Sequence, residues 1–103
     1  MTTETQSHTD TFAAVTDCFS TDLAALISEE PPTDVTPTEF ISLVERAMHA
    51  LGCANRDHLQ RAGEELDYAV GYLTEALTLT GADQRDGLAR ARTHLRYAIE
   101  TTR

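Results

Sequence analysis

The stretch from Thr36 to Thr80, TPTEFISLVERAMHALGCANRDHLQRAGEELDYAVGYLTEALTLT, is the longest run of helical pattern in the chain. Its start is announced by three residues. The Thr36 hydroxyl suits an N-cap, Pro37 lacks an amide donor where none is needed, and Glu39 stands where it can complete a capping box. Val35 and Phe40 occupy the hydrophobic-staple positions around that cap. Apolar residues then recur at Ile41, Val44, Met48, Leu51, Leu59, Ala62, Leu66, Ala69, Val70, Leu73 and Leu77, with polar Asn55 alone interrupting the stripe. Because the stripe keeps its phase across Asn55, the pattern favours one continuous helix over residues 37–80, about 65 Å long at 1.5 Å per residue. Gly52 inside such a helix costs only about 1 kcal/mol relative to alanine. The alternative is a break in Gly52-Cys53-Ala54-Asn55, which yields four helices instead of three.

On the N-terminal side, Phe12, Val15, Phe19, Leu23 and Leu26 alternate steps of three and four, which predicts a helix over residues 10–28. Glu29-Glu30-Pro31-Pro32 ends it, and an extended linker leads to Thr36. Residues 1–9 are too polar to bury a face and read as a flexible leader. On the C-terminal side, Gly81 suits a helix C-cap and Asp83 a following N-cap. A last helix over residues 83–101 then places Leu88, Ala91, Leu95, Ala98 and Ile99 on one stripe. The expected fold is a single all-α domain over residues 10–103, an antiparallel helical bundle with either a long central helix or four shorter ones. A continuous long helix leaves each half covered by only one short helix, and a homodimer would complete that coverage. A break near Gly52 lets one chain close its own bundle.

Composition narrows the function classes. The 103 residues include fourteen Ala and eleven Leu but no Trp, the vocabulary of close helix packing. Residues 1–39 hold eight acids and no Arg or Lys, whereas residues 83–103 hold five Arg against three acids. A net charge of −9 argues against nucleic acid as a partner, since binding to phosphates relies on basic groups. Nothing approaches a membrane span of roughly twenty apolar residues, and Met1-Thr2-Thr3-Glu4 does not begin a signal peptide. The chain is expected in the cytoplasm, with Cys18 and Cys53 as separate reduced thiols. No metal-ligand spacing is present, and neither a metal nor a cofactor is expected.

Three groups of residues stand off the core stripes. Tyr68, Tyr72 and Leu79 align with Leu43 on a second, weaker apolar strip, and Tyr97 lies off the stripe of the last helix. Together they are the candidate interaction surface, because aromatic rings with polar tips are enriched where proteins meet. Arg85, Arg92, Arg96 and Arg103 share one flank of the last helix, where salt bridges to Asp67 or to Asp10, Asp17 and Asp22 are a simpler expectation than phosphate contacts. His49 points away from the core. The segment around it, Met48-His49-Ala50-Leu51-Gly52-Cys53-Ala54-Asn55, resembles the phosphoacceptor segment of histidine phosphotransfer domains, which are acidic helical bundles of this size. That resemblance implies an exposed His49 accepting a phosphoryl group. The Lys that supports the charge in that family is missing here, and the spacing to Gly52 is one residue short.

Catalytic patterns are absent. Glu45 and His49 stand four apart and occur once, unlike the repeated Glu-x-x-His of di-iron bundles. Arg90 and His94 are separated by three residues, too few for the Arg-to-His spacing of helical ribonucleases. No zinc-protease helix, phosphate loop or nucleophile elbow appears. The expectation is a non-enzymatic interaction or oligomerisation module, homodimeric, engaging a further protein as adaptor or regulator. Phosphotransfer at His49 and an acidic antitoxin-type regulator acting through residues 1–39 are the alternatives.

Overall fold

The helix that starts at Pro37 stops at Gly52. The computed structural model describes residues 11–103, and these form four helices: α1 (Phe12–Leu26), α2 (Pro37–Gly52), α3 (Asp57–Ala76) and α4 (Gly81–Thr101). No strand occurs among the described residues. The leader expected over residues 1–9, together with Asp10, lies outside them.

The continuous helix expected over residues 37–80 is thus corrected to a hairpin of α2 and α3. Cys53 closes α2, and Arg56 enters α3 from an extended conformation at φ −108°, ψ 134°. The Gln60 side-chain amide donates to the Ala54 carbonyl at 2.8 Å and ties the turn. Four residues, Cys53 to Arg56, span close to one helical turn of 3.6, so the apolar stripe resumes in phase although the chain has reversed. Periodicity alone does not separate the two cases. The longest dimension of the molecule, 44 Å, has no room for a helix of about 65 Å. At the corner, a Cβ on Gly63 would lie 3.4 Å from the Gly52 nitrogen, Leu51 Cβ and the Met48 carbonyl oxygen, so glycine lets α3 pass close to the end of α2.

Local signals elsewhere fold as written. Thr36 and Glu39 form the full capping box, at 3.1 Å from the Glu39 amide to the Thr36 hydroxyl and 3.0 Å from the Thr36 amide to the Glu39 carboxylate. Phe40 is fully buried, with Val35 packed beside the core. Thr11 caps α1 by accepting from the Ala14 amide at 3.1 Å. At its other end the Glu29 amide donates to Ala24 and the Ser28 amide to Ala25, a Schellman closure with Ser28 left-handed at φ 57°. The last turn departs from expectation. Helix α3 ends at Ala76, which leaves Leu77, expected in the core, 43% exposed. Helix α4 begins at Gly81 with Thr80 as its N-cap residue, so Gly81 opens α4 instead of closing α3, and Asp83 lies in its first turn. The Gln84 amide explains the tighter geometry by donating to the Ala76 and Leu79 carbonyls, both at 3.0 Å.

The core runs along all four helices. Val15 and Leu23 of α1, Phe40, Leu43 and Val44 of α2, Leu66 and Leu73 of α3, and Leu88 and Leu95 of α4 are almost completely buried. Ala62, Ala69 and Ala76 repeat every seven residues on α3, as Ala91 and Ala98 do on α4, and these small rows lie on the two helices that share the most extensive contact in the molecule. Successive helices pack antiparallel, and α1 also rests on α4, closing the bundle within one chain. A radius of gyration of 13.3 Å is that of a compact chain of this length, about 13 Å. The coverage that an unbroken helix would have sought from a second chain is therefore supplied internally.

Candidate functional site

The antiparallel pairing of α3 with α4 creates an outer groove, and its walls follow from helical spacing. Glu65, Tyr68 and Tyr72 project from α3 at steps of three and four. Arg90, His94, Tyr97 and Thr101 project from α4 at steps of four, three and four. His94 is the centre of the arrangement. Its ring stacks on Tyr68 with centroids 5.2 Å apart and on Tyr72 at 5.6 Å, with interplanar angles of 28° and 12°. Its Nδ1 lies 2.8 Å from Glu65 Oε1; a carboxylate only accepts, so Nδ1 carries the proton and donates it. The Arg90 guanidinium sits over the opposite end, 6.0 Å from the Tyr72 ring centroid.

The groove continues past this cluster in both directions. Tyr97 joins Arg61, Glu65 and Thr101 around a recess of about 250 Å3. Tyr72, Leu79 and Arg90 line another of about 380 Å3 towards the α3–α4 turn. Tyr68 and Tyr97 are 59% and 58% exposed, whereas Tyr72 is half-buried against the core. Tyr68, Tyr72, Leu79 and Tyr97 therefore gather on one hairpin. Leu43 does not join them: it is 1% exposed inside the bundle, because the turn at residues 53–56 rotates α2 away from the face that a straight helix would have shared with α3.

The arginine flank of α4 stays in solvent at Arg85, Arg96 and Arg103, with Arg92 half-buried. Within the chain no ion pair joins Asp67, Asp17 or Asp22 to Arg85, Arg96 or Arg103, which leaves pairing between subunits as the other form of that expectation; Asp10 lies outside the described residues. Instead Arg46 of α2 pairs with Glu29 at 3.5 Å, in an exposed contact worth little. His49 is exposed in the last turn of α2. There the partial negative charge of the helix end opposes an added phosphoryl group. Cys18 and Cys53 are exposed free thiols on different elements. Among the described residues no group of three or more His, Cys, Asp or Glu is placed to hold a metal ion. No described helix is long and apolar enough to cross a membrane.

His94, Glu65 and Arg90 carry no local sequence signal that marks them as members of this surface. Glu65 and His94 are 29 residues apart, and only the register of the α3–α4 pairing joins them. A usable signal existed in Tyr68 and Tyr72, four apart on one helix, facing the Arg90-His94-Tyr97 ladder on the next. The Glu65–His94 pair has the geometry that orients a general base, but no serine, threonine or cysteine hydrogen-bonds to His94 among the described residues. No protein family, curated protein or solved structure matches this chain.

Proposed function

We propose that the chain is a non-enzymatic interaction module that pairs with a second copy of itself through the α3–α4 groove. One observation carries this reading: the three large hydrophobic residues exposed on the described surface, Tyr68, Leu77 and Tyr97, all belong to the α3–α4 hairpin. Exposed aromatics beside a preorganised cluster are the make-up of an interface anchor. Stacking on His94 already orders Tyr68, so docking it against a partner loses little side-chain freedom. A second copy fits the surrounding charge. The groove carries Arg61, Arg90 and Arg96 among the acids Glu65, Glu75, Asp83, Asp86 and Glu100. A two-fold pairing sets cations of one copy against acids of the other. Among the described residues, the acids Asp17, Asp22, Glu29, Glu30, Asp34 and Glu39 do not line that groove. Exposed thiols at Cys18 and Cys53 suit a reducing compartment, which supports action in the cytoplasm, where a further protein partner is engaged.

Sedimentation velocity over a concentration series tests the pairing. The expected result is conversion from the 11.3 kDa chain to twice that mass, with Tyr68→Ala/Tyr97→Ala remaining monomeric. A wild-type monomer up to about 1 mM means an association weaker than about 4 kcal/mol and rejects the pairing.

Phosphotransfer at His49 is a second reading, supported by the exposure of His49 on a four-helix bundle. Acid-labile phosphate that appears with a phosphodonor and disappears in His49→Ala supports it. No labelling by donor kinases or small phosphodonors rejects it.

A further inference from the structure

Helix α1 and the linker behind it have the marks of a detachable element. The helix rests on α2 and, more sparsely, on α4, whereas α3 and α4 share the most extensive contact in the molecule. Its packed side also holds a defect. Ser20 is 6% exposed and its Oγ has no hydrogen-bond partner, so docking α1 strips water from a hydroxyl and puts nothing in its place. The linker, residues 27–36, is bent near both ends by left-handed residues, Ser28 at φ 57° and Asp34 at φ 52°. Serine is disfavoured in that conformation. Between the bends, Pro31 and Pro32 favour extended chain, and residues 32–35 stand off α1 across an open recess of about 480 Å3. The ion pair of Glu29 with Arg46 is too exposed to hold the linker firmly to α2.

An undocked α1 does not stay in water, because Val15, Phe19, Leu23 and Ala24 form a face that is buried in the closed chain. The surface that fits this face is the one α1 has just left on α2 and α4, and a second copy presents the same surface. Straightened, residues 27–36 reach about 33 Å, beyond the 25 Å width of the bundle, so α1 can enter a neighbouring molecule while the rest of its chain stays folded. Short hinges under strain favour such exchange, because only the closed chain bears the strain. We propose that two copies exchange α1, each seating Phe12–Leu26 on α2 and α4 of the other, with residues 27–36 as the hinge. The exchanged pair rebuilds the α1 contacts of the closed chain and releases Ser28 from its left-handed turn. A tether this short holds α1 at an effective concentration on the order of millimolar, so exchange competes when the protein is equally concentrated. This association uses a different face from the tyrosine groove and does not rest on pairing there.

Energy transfer between full-length chains tests the exchange. One chain carries a donor on Cys18 with Cys53→Ser, and the other an acceptor on Cys53 with Cys18→Ser; both thiols are exposed. Both chains also carry Tyr68→Ala/Tyr97→Ala, which silences pairing through the groove. The reference is a single dilute chain of the same background with donor and acceptor on its own two cysteines. Undocking accelerates roughly three- to six-fold per 10 °C, so the mixed chains are warmed at about 1 mM to just below melting and then cooled. Protein that is never warmed keeps the closed form examined by sedimentation. The expected donor lifetime reports an interchain distance equal to that of the reference, because an exchanged α1 takes the same place on its host. Ser28→Gly removes the strain from the closed chain and should reduce the exchanged fraction about fivefold or more. Absence of transfer, a distance different from the reference, or an exchanged fraction unchanged by Ser28→Gly overturns the proposal. Failure of the groove pairing leaves each of these outcomes intact, since the tyrosine anchors are already removed.

Discussion

At His94 two ring contacts and one charge-assisted hydrogen bond meet on a single imidazole, which makes this residue the energetic centre of the tyrosine groove. His94→Ala should lower stability by about 2 kcal/mol in urea denaturation, since both stackings and the bond to Glu65 disappear. His94→Phe keeps the stacking and should lose about half as much. Glu39 gives the molecule a local acid response. Hydrogen bonds from the backbone amide and then the side chain of Thr36 hold its carboxyl below the ordinary value of 4.5. A carboxyl lowered on folding stabilises the folded form above its unfolded pKa, and that contribution is lost as pH falls through the lowered value. Amide exchange at the start of α2 should therefore accelerate, relative to Glu39→Gln, on acidification below pH 4.5. The capping box was legible in the sequence because its partners are three residues apart. The Glu65–His94 contact was not, because nothing short of the helix register brings the two together.

The four helices differ in how well their backbones suit their residues. Ser28 adopts φ 57° to close α1, a conformation that costs an L-residue about 1–2 kcal/mol, so Ser28→Gly should raise stability by about 1 kcal/mol. Gly71 lies inside α3 with nothing within 4 Å of the place an added Cβ would take, and Gly71→Ala should add about 1 kcal/mol through helix propensity. Gly81 also has open space around it, yet its φ of +58° makes Gly81→Ala destabilising by about 1 kcal/mol. Opposite outcomes at two glycines with equal room isolate backbone conformation as the cause, and melting temperatures should move by about 4–8 °C per kcal/mol. Helix existence was legible from periodicity throughout. The α2–α3 boundary was not, because a four-residue turn preserves the stripe that a continuous helix would show. The Tyr68, Tyr72 and Tyr97 placement followed from helix faces alone, whereas Leu43 depended on whether α2 continued into α3.

Across the whole molecule, cohesion is uneven. Helices α3 and α4 share the most extensive contact, and α1 is held more sparsely by α2 and α4. Helix α1 also brings Asp17 and Asp22 without a basic residue of its own. Native-state hydrogen exchange should show α1 opening at the lowest free energy and the α3–α4 hairpin at the highest. Added salt should slow the opening of α1 by screening the repulsion that a net charge of −9 imposes. The contact of α1 with α4 has another consequence. Since successive helices reverse direction, Thr11, Arg103 and the turn at residues 53–56 all stand at the same end of the bundle. Chain order and spatial order are thus separable: a circular permutant that joins Arg103 to Met1 and opens at Asn55 would thread the same four cylinders as α3, α4, α1, α2. The ring of helices has no privileged beginning.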